Sequence, residues 1–118
     1  MIYKWAFDLG RQILENLEKT YTTDKPDINK ISKRFETILL NLRSEALPEK
    51  FRRELINIII EERIEIEIPE VVRMGRPWRV DEFYRFSTQI LAGLHDALIS
   101  WRKEKKKGKE NKDKNEIR

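Results

Sequence analysis

The sequence contains no cysteine. That absence removes disulfide staples, thiolate nucleophiles and cysteine-bound zinc, and makes an intracellular compartment the natural one. Histidine occurs once, at His95, so neither a multi-histidine zinc site nor a histidine-rich phosphohydrolase centre can be assembled within one subunit. The four glycines are scattered, and they form neither a phosphate-cradling loop nor a strained elbow around Ser32, Ser44, Ser87 or Ser100. No apolar run approaches the roughly 18–20 residues that span a bilayer. Lys4, Asp8 and Arg11 interrupt the opening segment where a signal peptide would need continuous apolar character. A cytoplasmic protein that meets no membrane is expected.

What is present is charge around enough apolar material for one core. Hydrophobic and charged residues each make up 39% of 118 residues, a size that suits a single domain. The Ile, Glu, Lys and Arg bias is that of proteins stabilised by surface ion-pair networks at high temperature, and points to a thermophilic source. The net charge of +4 is unevenly placed. Residues 102–118 hold nine Lys or Arg against four Asp or Glu, whereas residues 1–101 hold sixteen against seventeen. The basicity therefore belongs to the C-terminal end, and the high isoelectric point says little about the folded body.

Periodicity predicts four helices. Ile2, Trp5, Ala6, Leu9, Ile13 and Leu17 recur at three- and four-residue intervals, an amphipathic helix. Asp24 and Pro26 offer a cap and a first-turn residue for the second helix, whose face carries Ile28, Ile31, Phe35, Ile38, Leu39 and Leu42. Pro48 ends it near residues 44–47 and opens the third, which turns Phe51, Leu55, Ile58 and Ile59 inward while Ile56 and Ile60 widen its apolar surface. Residues 64–68 then alternate Ile and Glu, a period of two that favours a short strand with one buried face over continuation of the helix to Pro69. Gly75 and Pro77 mark a loop. The last helix starts with Asp81 as cap and runs through Phe83, Phe86, Ile90, Leu94, Ala97, Leu98 and Trp101. The expected architecture is an all-α, four-helix bundle-like domain over residues 1–104. Neighbouring helices should be antiparallel across short connections, and a flexible Lys-rich tail should occupy residues 105–118.

Residues bearing chemistry are few. Glu61, Glu62, Glu65, Glu67 and Glu70 form the densest carboxylate group, a spacing at which a helix face could hold Mg²⁺ through oxygens. His95 with Asp96 keeps a formal general-base reading. The most suggestive stretch is Arg73, Arg76, Trp78 and Arg79, continued by Tyr84 and Arg85. Arginines spaced around a tryptophan on a Gly/Pro loop can grip phosphates while the indole stacks, and both residue types are enriched in protein interface hot spots. Alternatively, Trp78 plugs the end of the bundle while the arginines pair with the preceding glutamates. Lys105, Lys106 and Lys107 add positive charge at the tail. The reading that follows is a non-catalytic, self-associating assembly subunit with a protein partner. A small nucleic-acid-binding subunit using the arginine loop and lysine tail, as in a prokaryotic defence complex, is the alternative, and a carboxylate-metal hydrolase comes third. No pattern asks for a cofactor or a small-molecule substrate.

Overall fold

Each apolar stripe becomes the buried face of a helix. The computed structural model describes residues 1–21 and 27–117, with side chains as far as Lys106. Among these residues the chain forms α1 (Ile2–Tyr21), α2 (Ile28–Arg43), α3 (Pro48–Glu61) and α4 (Val80–Ile117), with no strand. One core unites Leu9, Ile13 and Leu14 of α1, Ile31, Phe35 and Leu42 of α2, Phe51 and Leu55 of α3, and Ile90, Leu94 and Trp101 of α4. Each such side chain removed from water contributes about 1.5–3 kcal/mol. Ile60 falls outside the α3 stripe and stays exposed.

The helix ends follow local chemistry. α2 is capped by Asp27, whose carboxylate accepts from the Lys30 N–H. The start expected at Asp24 and Pro26 lies outside the described residues. Before Pro48, Leu47 is extended at φ −105°, ψ 134°, as the proline ring requires. α3 ends without glycine, because Arg63 takes the left-handed conformation at φ 55°. Arg63 N–H then donates to Ile60 O at 3.1 Å and Ile64 N–H to Ile59 O at 2.9 Å, the paired bonds of a Schellman termination.

Helix direction departs from expectation. Tyr3 reaches Asp96, Arg11 reaches Ser100 and Glu104, and Glu18 reaches Trp101 and Lys105. The paired numbers rise together, so α1 and α4 run parallel and share the most extensive helix interface. A chain that goes up, down and up through α1 to α3 must return before α4 can go up again. Residues 62–79 make that return. Asn16 Nδ2 donates to Glu62 O at 2.9 Å and Trp5 Nε1 to Glu67 O at 2.7 Å, so the crossover runs antiparallel along α1. From Trp5 to Asn16 the helix rises about 16 Å, and five residues cover the same distance only when extended at about 3.3 Å each. Residues 64–69 accordingly contain no helix, turn or bend, with Ile64, Ile66 and Ile68 turned in and Glu65 and Glu67 exposed. The alternation read from the sequence is real, and its cause is the crossover rather than a sheet.

Parallel packing brings α1 and α4 unusually close. A Cβ on Gly93 would lie 2.5 Å from Tyr3 O and 2.8 Å from Ala6 Cβ, and one on Gly10 would lie 2.6 Å from Ala97 Cβ. The interface is built from small residues because the backbones occupy the space. Trp101 is the last core residue of α4, and Lys105 Nζ still meets Glu18 at 2.8 Å. Beyond it the Lys- and Glu-rich backbone stays helical to Ile117, as the propensity of those residues favours. The long axis of 59 Å reflects this helix. No helix among the described residues is long and apolar enough to cross a membrane.

Candidate interaction surface

The end of the bundle where the crossover meets α4 is organised by a buried cation. Arg52 shares the α3 core stripe with Leu55 and Ile59 and is only 2% exposed. Its Nη1 donates to Arg76 O at 2.9 Å and its Nε to Val72 O at 3.4 Å, and its guanidinium lies 4.9 Å from the Trp78 ring centroid. Burial, with Arg76 adding repulsion, lowers the Arg52 pKa. The guanidinium is satisfied because the loop turns two carbonyls and an aromatic face toward it.

Trp78 is the plug of this end. It packs against Phe86 at 5.2 Å, Phe51 at 6.4 Å and Phe83 at 6.5 Å between ring centroids, and its Nε1 donates to Val71 O at 2.7 Å. At 7% exposure it has the burial of a plug, with a small part of the residue lining the pockets beside Arg73 and Arg53.

The arginines separate into different roles. Arg76 makes a two-pronged pair with Glu82, Nη1 to Oε1 at 2.9 Å and Nη2 to Oε2 at 2.7 Å, which raises the Arg76 pKa. Glu82 Oε1 also accepts from the Arg79 N–H at 2.9 Å. That bond is the reaching-back half of a capping box, so α4 starts at Val80 and Glu82 does the work expected of Asp81. The Arg76 hydrogen bond first, then the Arg79 N–H, lower the Glu82 pKa to about 2. Arg73 and Arg79 are exposed, and among the described residues neither side chain has a carboxylate partner within ion-pair distance. Arg85 lies over Phe86 with its guanidinium 5.0 Å from the ring centroid. Beside these groups Val71, Met74, Val80 and Tyr84 are exposed, Val80 at 67% and Tyr84 at 65%, and Val80 and Tyr84 lie one helical turn apart.

The tail lysines do not join this surface. Lys105 lies about 37 Å along α4 from Val80 and is paired with Glu18, Lys106 is exposed, and the Lys107 side chain lies outside the described residues. The acidic group is strung out along the crossover. Glu62 pairs with Arg34 at 3.3 Å, and among the described residues no three His, Asp or Glu side chains converge as a metal site would require. His95 is exposed, and its neighbour Asp96 accepts from the Tyr3 hydroxyl. A groove of about 710 Å³ lies between α1 and the crossover. Trp5, Ile66, Ile68 and Pro69 give it apolar walls, and Asp8, Glu67 and Glu70 stand among its lining residues.

Sequence reasoning missed Arg52 and Glu82. The signal for Arg52 was its spacing of three and seven from Leu55 and Ile59, which places a charge on the core stripe. For Glu82 it was the three-residue offset from Arg79 that a capping box uses. Comparison with known protein families, characterised proteins and solved structures returns no match for the chain.

Proposed function

We propose that this protein is a non-catalytic assembly module that docks, on other copies or on a partner protein, through the bundle end around Val80 and Tyr84. The observation that carries this reading is the exposed Val80–Tyr84 pair flanked by Arg73 and Arg79, neither of whose side chains forms an ion pair with a described carboxylate. Apolar side chains one turn apart leave a patch that association would remove from water. Tyrosine and arginine are the residues that concentrate binding energy at such contacts. Against catalysis stands the scatter of the carboxylates along the crossover, about 16 Å between its two α1 anchors.

Light scattering across a concentration series tests the proposal. At physiological salt the mass should rise above the 14.3 kDa of the single chain, and Val80→Asp with Tyr84→Asp should return it to that value under the same salt. A mass that stays monomeric, together with salt-sensitive retention on a labelled oligonucleotide that Arg73→Ala and Arg79→Ala weaken, would replace this reading with nucleic-acid binding.

A further inference from the structure

We infer that the groove between α1 and the crossover seats the basic end of α4 from a second copy of this chain, head to tail. The inference deepens the assembly reading but uses a different surface from Val80 and Tyr84.

The argument starts from charge. Residues 102–118 carry nine Lys or Arg against four acidic residues, and residues 1–101 carry sixteen against seventeen. The body is nearly neutral overall, so a complement to the positive end must be a local group of carboxylates. In the groove, Asp8, Glu67 and Glu70 make no ion pair with any described residue. Of the two arginines that line it, Arg11 is engaged by Glu104 at 2.5 Å and Ser100 at 3.2 Å, so the opposing cations among the lining residues are Arg73 and the Met1 amino group. The apolar walls suit lysine in particular. Its hydrocarbon stem covers Trp5, Ile68 and Pro69 while its ammonium reaches the carboxylates at the rim.

Geometry makes the contact intermolecular. The α1 side of the groove is Met1, Trp5, Asp8, Arg11 and Gln12. Lys105 lies level with Glu18, near the other end of α1. From Trp5 to Glu18 the helix climbs about 20 Å, and α4 continues in that same direction. A helix cannot fold back over such a distance, so the basic end of one copy points away from its own groove and is free to enter another. A joint between two unlike surfaces adds copies in a row instead of closing a pair. Contacts made mainly of exposed charges weaken as salt rises.

A charge-swap experiment on the full chain tests the inference, with mass followed by light scattering at low salt in the Val80→Asp, Tyr84→Asp background so that the other surface is silent. One variant carries Asp8→Lys, Glu67→Lys and Glu70→Lys, and the other carries Lys106→Glu, Lys107→Glu and Lys109→Glu. The unswapped background should grow in mass with concentration and lose that growth in high salt. Each swapped variant alone should stay monomeric, and mixing the two should restore association, at least tenfold tighter than either alone. Circular dichroism confirms that both remain folded. A background that stays monomeric at low salt, swaps that leave association unchanged, or a mixture that fails to recover it would each overturn the inference. If Val80→Asp and Tyr84→Asp leave the mass at physiological salt unchanged, the proposed function fails while the groove is still judged by the swap.

Discussion

The molecule connects consecutive helices in two contrasting ways. Between α2 and α3 the chain reverses within residues 44–47, and it needs little beyond Leu47 held extended by Pro48 and the Ser44 N–H donating to Leu40 O at 3.0 Å. Between α3 and α4 it spends residues 62–79 retracing α1, so that α4 can run parallel to α1. A short turn is a local event, and its backbone bonds are found within a few residues. The crossover has few backbone partners of its own, so side chains from distant elements must hold it: Asn16 and Trp5 of α1, and Arg52 of α3. Long connections cost ordering entropy that only such contacts offset. Arg73 and Arg79, left exposed at the crossover's end, flank the proposed docking pair Val80 and Tyr84 at the start of α4.

The strongest way to break this contrast is Arg52→Met, which keeps an apolar stem but deserts the Val72 and Arg76 carbonyls and the Trp78 face. It should destabilise by about 3 kcal/mol, read by urea unfolding, with faster amide exchange confined to the crossover in the native state. A loss under about 1 kcal/mol would mean that the crossover holds itself as a short turn does.

Next in size is Gly93→Ala. Helix propensity alone would make it stabilising by about 1 kcal/mol, but the added methyl meets Tyr3 O at 2.5 Å. The parallel seam that the crossover creates should therefore lose about 2 kcal/mol. A stabilised variant in thermal unfolding would show that α1 and α4 are not packed as described.

The smallest effect is a pH dependence at the end of the crossover. The Glu82 pKa is lowered from 4.5 to about 2 by Arg76 and the Arg79 N–H. A group whose folded pKa is depressed adds stability above its unfolded pKa and loses it as pH falls through the folded one. The difference in melting temperature between the wild type and Glu82→Gln should be full above pH 4.5, shrink below it and vanish near pH 2. A difference that is constant with pH would show that Glu82 is not bound by Arg76 in solution.

Much of the candidate surface was legible in part. Arg73, Arg79 and Arg85 are exposed as a loop and first-turn position suggest, and Arg76 pairs with a glutamate as one of the two expectations held, although the partner Glu82 follows it in sequence rather than preceding it. Trp78 was ambiguous because an indole beside Gly and Pro reads equally as a plug or a platform. Only the positions of Phe51, Phe83 and Phe86 decide between them. The tail lysines and the loop arginines looked like one basic feature in sequence, and α4 holds them about 37 Å apart.

By itself the sequence determined the helices, because a three- and four-residue spacing of Leu, Ile and Phe has one local solution that buries them all. It favoured the break after α3 through the alternation of Ile and Glu, but Ile60, Ile64 and Ile68 would also share a helical face, so the packing of the crossover along α1 decided that point. Tertiary structure decided direction and neighbours: that α4 runs with α1 rather than against it, that Gly93 and Gly10 are contact points, and that Arg52 is a buried hub. Those properties depend on which distant backbone arrives beside a residue, and local periodicity carries no record of that.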